Sequence, residues 1–104
     1  MNLNTEIQAD LDETTATHLA QFFGALADPS RLRIIAALVT GEKNVGELSS
    51  VAAISESAVS HHLRDLRQLR IVKTRKAGRF VYYMLDDDHV IDLFQRGLAH
   101  VQHG

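Results

Sequence analysis

Residues Ser55–Arg70 read SESAVSHHLRDLRQLR. Ser55 and Ser57 stand two apart, and either hydroxyl suits the cap of a helix. Behind them Ala58, Val59, Leu63, Leu66 and Leu69 recur at helical spacing. The opposite face carries Ser57, Ser60, His61, Arg64, Arg67 and Gln68, small or long hydrogen-bonding groups suited to a groove of DNA. A short helix with an apolar back and a basic, hydroxyl-rich front suits the second, reading helix of a helix-turn-helix.

The neighbouring segments supply the rest of that unit. Upstream, Asn44 with Glu47 three residues on has the form of a capping box for a short helix over about 45–51, and Ala52-Ala53-Ile54 is the turn into the reading helix. Before it, Asp28-Pro29 pairs a cap with proline at the first helical position. That helix runs to about Val39 through Leu32, Ile34, Ile35, Ala36 and Leu38, and Gly41 suits its end; being apolar nearly all round, it is predicted to be central. A first helix spans Glu13 to about Leu26, with Ala16, Leu19, Ala20, Phe22, Phe23 and Leu26 as its apolar residues. Downstream, Ile71–Arg75 and Phe80–Leu85 are β-rich runs around Lys76-Ala77-Gly78-Arg79, a predicted hairpin. Asp86 or Asp87 caps a last helix to about Gln102. The order α-α-α-α-β-β-α predicts a mainly helical winged helix-turn-helix over residues 13–104, preceded by a polar, acidic and flexible arm over residues 1–12.

Length and charge narrow the partners. A chain of 104 residues is one domain. It buries only ~60–65% of the surface exposed by its unfolded form, so a partner copy would help it. There is no cysteine, which excludes thiolate metal sites and cysteine nucleophiles. No apolar run is long enough to span a membrane and the N-terminus is acidic, so the expected location is the cytoplasm. The net charge of −2 hides a strong asymmetry: residues 64–79 carry +6 and the remainder −8. A polyphosphate responds to the local charge. Arg64 and Arg67 on the reading helix, Arg75, Lys76 and Arg79 on the wing, and Ser55 are therefore candidate contacts to DNA, with Ser57, Ser60, His61 and Arg64 expected in the groove. His62 reads as structural or phosphate-facing, and Arg31 and Arg33 as solvated or touching the DNA backbone.

The last segment, DDDHVIDLFQRGLAHVQHG, sets a geometric problem. Val90, Ile91, Leu93, Phe94, Leu98 and Val101 give it a broad apolar stripe. Asp87 and His89 stand at its start, His100 and His103 at its end. His89 and His100 share a stripe but lie ~16 Å apart at ~1.5 Å per residue. One helix cannot close all four around an ion whose ligands sit at ~2 Å. Two antiparallel copies can, because residues then meet where their numbers sum to a constant, and Asp87 with His103 and His89 with His100 agree within one. One carboxylate and three imidazoles suit Zn²⁺, with Co²⁺ or Ni²⁺ as alternatives. Helix capping and the helix dipole also favour aspartate at a start and histidine at an end. His18, on the first helix, reads as a surface residue, with a further Ni²⁺ ligand as the alternative.

ADPSRLRIIAAL, ELSSVAAISESAVSHHLRDLRQLRIV and KAGRFVYYML resemble the ArsR/SmtB family of metal-sensing transcriptional repressors, from about Ala16 to His103. The D-x-H…H-x-x-H pattern is similar to that of the CzrA- and SmtB-like zinc sensors of that family. The resemblance implies that Asp87, His89, His100 and His103 are regulatory ligands. It also implies a homodimer that binds a palindromic operator without metal and leaves it when metal binds. The family's cysteine pair is absent, Asn44 and Gly46 standing in its place. Imidazoles must shed protons to bind metal, so sensing is expected to weaken below about pH 6. Two competing functions remain at this level. A winged-helix regulator without metal response differs in its binding of Zn²⁺. A small metallo-hydrolase needs an open coordination position and a base, so the expectation is that the chain is not an enzyme.

Overall fold

Each helix among the described residues starts at a polar side chain that takes up one of its orphan N–H groups. The structure, a computed structural model, describes residues 10–103. Most of the predicted N-terminal arm lies outside that range. Asp12 accepts from Thr15 N–H at 2.7 Å and opens α1, Glu13–Ala25. Asp28 accepts from Arg31 N–H at 3.0 Å and opens α2, Pro29–Val39. Asn44 and Glu47 form the predicted capping box, both bonds 2.9 Å, at the head of α3, Val45–Ala52. Ser55 accepts from Ala58 N–H at 3.0 Å and opens α4, Glu56–Gln68. The strands β1, Val72–Ala77, and β2, Phe80–Leu85, precede α5, Asp88–His103.

The core forms around α2. Its Ile34, Ile35, Ala37 and Leu38 pack with Leu48 and Ala52 of α3, Val59, Leu63 and Leu66 of α4, and Ile71, Val72, Leu85 and Val90 beyond. Burying each large side chain contributes roughly 1.5–3 kcal/mol. Leu32, 39% exposed, and Ala36, half-buried, depart from the expected all-round burial. The terminal helices contribute little to this core, α1 burying only Ala25 and α5 only Val90. The radius of gyration, 15.4 Å, exceeds the ~13 Å of a compact 100-residue domain.

Two boundaries and one pairing differ from the sequence reading. The reading helix stops at Gln68 and leaves through a left-handed residue, Arg70 at φ 58°. Arg70 N–H reaches Arg67 C=O at 3.0 Å and Ile71 N–H reaches Leu66 C=O at 2.9 Å, a Schellman closure whose apolar pair, Leu66 and Ile71, is fully buried. The hairpin turn is two residues, not four, because the strands pair out to Ala77 and Phe80. Gly78, at φ 62°, takes the first turn position, where such a tight hairpin needs positive φ. The sheet also gains a partner that period-2 patterning does not mark. Lys43 and Tyr83 exchange both backbone bonds, at 3.0 and 2.8 Å, and tie the segment after α2 to the outer edge of the wing. Among the described residues no helix is long and apolar enough to cross a membrane.

Candidate nucleic-acid interface and metal ligands

The turn between α3 and α4 sets the angle of the reading helix. Ala53 is left-handed there, φ 59°, ψ 41°, and Ser49 Oγ donates to Ile54 C=O at 2.5 Å. The apolar back of α4 then disappears into the core: Val59, Leu63 and Leu66 are at most 1% exposed. That burial fixes the roll of the helix and leaves Ser57, Ser60, His61, Arg64, Arg67 and Gln68 on the surface. Ser55 is exposed too, but its Oγ is engaged as the cap. Between α4 and the wing lies an open cleft of about 530 Å³, lined by Ser60, Leu63, Arg64, Arg67, Gln68 and Tyr83.

A second contact fixes α4 from the side. Arg31 of α2 donates from Nε to His62 Nδ1 at 2.9 Å and from Nη2 to Asp65 Oδ2 at 2.5 Å. Its side chain is only 16% exposed. Arg31 is thus held within the fold rather than free in solvent, and His62 is tied to α2. Because Nδ1 accepts, the ring carries its hydrogen on Nε2 in this arrangement. Asp65 also lies 3.9 Å from His61 Nε2. The signal in the sequence was Asp65 itself, the one acid among seven cations, which calls for a partner.

Pleat alternation divides the wing into two faces. Thr74 and Lys76 share the inner face with Tyr83 and Val81, and Tyr83 lines the cleft under α4. Lys76 and, in the turn, Arg79 are exposed. Arg75, a candidate contact to DNA, is engaged within the chain. It lies opposite Tyr82 on the outer face, donating to Glu42 from Nε at 3.0 Å and Nη2 at 2.6 Å. Its guanidinium sits 5.2 Å from the centroid of the Tyr82 ring. The hydrogen bond from Arg75 holds the Glu42 carboxyl below the usual carboxylate range, and the same contact raises Arg75.

The four candidate metal ligands all lie on α5 or its cap, in two groups. Asp87 Oδ1 accepts from His89 N–H at 2.9 Å and Val90 N–H at 3.3 Å, and so caps the helix. Burial pushes its carboxyl up, but the Val90 and His89 bonds outweigh that and hold it below the usual range. His89 points outward, its side chain 94% exposed, with Nδ1 3.5 Å from Asp87 Oδ1. His100 and His103 are exposed at the far end beside Arg96 and Ala99. Among the described residues of one chain, no three His, Cys, Asp or Glu side chains come together to hold an ion. The donor set is nevertheless chemically suited to Zn²⁺, provided two copies share it. His18 is exposed on α1.

The surface that would bring two copies together is mostly apolar, with the exposed Arg33 of α2 on its lining. Phe23 and Leu26 of α1, Leu32, Ile35 and Ala36 of α2, and Leu93, Phe94, Leu98 and Val101 of α5 line a groove of about 540 Å³. Phe23 is 49% and Val101 76% exposed.

Three comparisons bear on this arrangement. The family described as bacterial regulatory protein, arsR family, matches residues 28–74, from the start of α2 into β1. A transcriptional repressor SmtB homolog of Synechocystis is 52% identical over 87 residues, 84% of this chain and 66% of that protein. A cadmium resistance transcriptional regulatory protein CadC homolog of Staphylococcus aureus is 39% identical over 92 residues, 88% of this chain and 76% of that protein. Among solved structures, a homodimeric winged helix-turn-helix DNA-binding domain from Mycobacterium bovis superposes with a TM-score of 0.79 at 25% identity, over 94% of this chain and 96% of the other.

Proposed function

The chain belongs to the arsR family of bacterial regulatory proteins, and from that premise we propose that it is a homodimeric transcriptional repressor that leaves its operator when a divalent metal binds. One observation carries the metal response. The two half-sets of donors stand at opposite ends of one helix, Asp87 with His89 and His100 with His103, and an uncovered apolar stripe runs between them. Antiparallel pairing of α5 across a twofold axis covers that stripe and completes two four-donor sets. The names of the SmtB and CadC relatives support a repressor and, for the latter, a link to cadmium.

In this reading α4 enters the major groove. Ser57, Ser60 and His61 face the bases, and Arg64 and Arg67 take bases or phosphates. Lys76 and Arg79 hold the backbone beside it. Two reading heads must stand ~34 Å apart to meet successive grooves. A bound ion would supply a cross-link between the terminal helices. The arrangement in which four donors converge and the one that matches the operator then compete, and coupling of this kind is typically ~1–3 kcal/mol.

His100→Ala tests the assignment. Metal-free variant is expected to hold a palindromic operator as tightly as wild type, within about twofold, yet no longer be released by Zn²⁺, because coupling needs both ligands to bind. Release of the variant by Zn²⁺ refutes the site. Equilibrium dialysis separates this reading from a regulator of the same fold that ignores metals: tight uptake of about one ion per subunit excludes the latter, and no uptake excludes the former.

A further inference from the structure

The outer face of the wing holds a contact that duplex binding through α4 does not use. Glu42, in the segment between α2 and α3, takes both prongs of Arg75, 3.0 and 2.6 Å long. The Tyr82 ring backs the guanidinium from across the strand pair. The Lys43–Tyr83 bridge anchors the residue next to Glu42 and keeps the carboxylate in place. Among the described residues, Lys73, Lys76 and Arg79 have no carboxylate partner, so Arg75 is the one wing cation whose charge is spent inside the protein.

A carboxylate gripped by both prongs of a guanidinium occupies the N–H directions that a phosphate would take. The pair is also exposed, Arg75 by 50% and Glu42 by 39%, so water and salt weaken it and a polyanion can compete for it. Resting on the DNA-binding reading above, we propose that Glu42 is an internal phosphate surrogate: it withholds Arg75 from the DNA backbone and so sets how strongly the wing grips. Glu42 is then a positioning residue acting through Arg75. While the pair is closed, Arg75 displaces no counterion from DNA. Once freed, it adds a cation to each wing, and each phosphate neutralised steepens the dependence of log K on log salt by ~0.9.

The test is fluorescence anisotropy of the metal-free dimer on a random-sequence duplex over a range of salt, for wild type, Glu42→Gln, Arg75→Gln, Arg64→Gln and the double variant of Glu42 and Arg75. Glu42→Gln is expected to bind about tenfold tighter at low salt, with a slope steeper by ~1.8 for two subunits. Arg75→Gln is expected to stay within about twofold of wild type, and the double variant to fall back to that level, because the gain passes through Arg75. A purely structural role for Glu42 would not steepen the slope. The proposal is overturned if Glu42→Gln binds no more tightly than wild type, or if its gain survives in the double variant. A loss in Arg75→Gln as large as that in Arg64→Gln also overturns it, since Arg75 would then already be on the DNA. If wild type shows no salt-dependent binding at all, the DNA-binding reading itself fails, and the two failures are told apart.

Discussion

Replacing Arg31 by methionine keeps the length and apolar stem of the side chain and removes the three-residue clamp on the reading helix. Two bonds vanish, to His62 Nδ1 at 2.9 Å and to Asp65 Oδ2 at 2.5 Å. A bond to a charged partner contributes ~1.5–3 kcal/mol when shielded, and a neutral one ~1 kcal/mol. Arg31 is well shielded, but Asp65 is 37% exposed and regains water when its partner leaves. Discounting the ion pair to ~1 kcal/mol and adding the His62 bond gives a loss of about 2 kcal/mol. That is a sizeable part of the ~5–15 kcal/mol that typically holds a domain together. Urea unfolding followed by circular dichroism, at one fixed protomer concentration, should show the midpoint fall by roughly 1 M. The same variant should bind operator less tightly, since the roll of α4 is then set by its buried back alone. A double-mutant cycle with Asp65→Asn isolates the ion pair, with an expected coupling of ~1 kcal/mol. A loss below ~0.5 kcal/mol in Arg31→Met, or strict additivity with Asp65→Asn, would refute the clamp and reduce it to an ordinary surface pair.

Two further outcomes follow from single residues. Ala53 holds a left-handed backbone at the helix-turn-helix corner with its methyl exposed, so Ala53→Gly should raise stability by roughly 0.5–1 kcal/mol, the left-handed strain less the entropy of glycine; a lower urea midpoint would show that the corner is not strained. Val101 is 76% exposed in one chain yet sits on the apolar stripe of α5, so Val101→Asp should shift the dimer towards monomer in sedimentation equilibrium and weaken operator binding with it; an undisturbed dimer would place the interface elsewhere.

The architecture was legible because its signals are local. Asp28, Asn44 and Ser55 cap within three residues of themselves, and helical spacing of Val59, Leu63 and Leu66 marks the buried back of α4. The charge asymmetry and the spacing of Asp87, His89, His100 and His103 along one helix are likewise one-dimensional facts, and the impossibility of closing the four within a single helix follows from helical rise alone. What the chain order does not encode is which charges meet. Arg31 reaches Asp65 across 34 positions and Arg75 reaches Glu42 across 33. The faces of the wing depend on strand pairing, which put Arg75 outside with Tyr82 and left Lys76 inside with Val81. Local pattern determined the helices, the hairpin and the basic front. Only the fold, through the Arg31 contact of α2 with α4 and the pairing of Lys43 with Tyr83, decided which cations are held in ion pairs, because an ion pair forms wherever the fold brings its partners within reach, regardless of their separation along the chain.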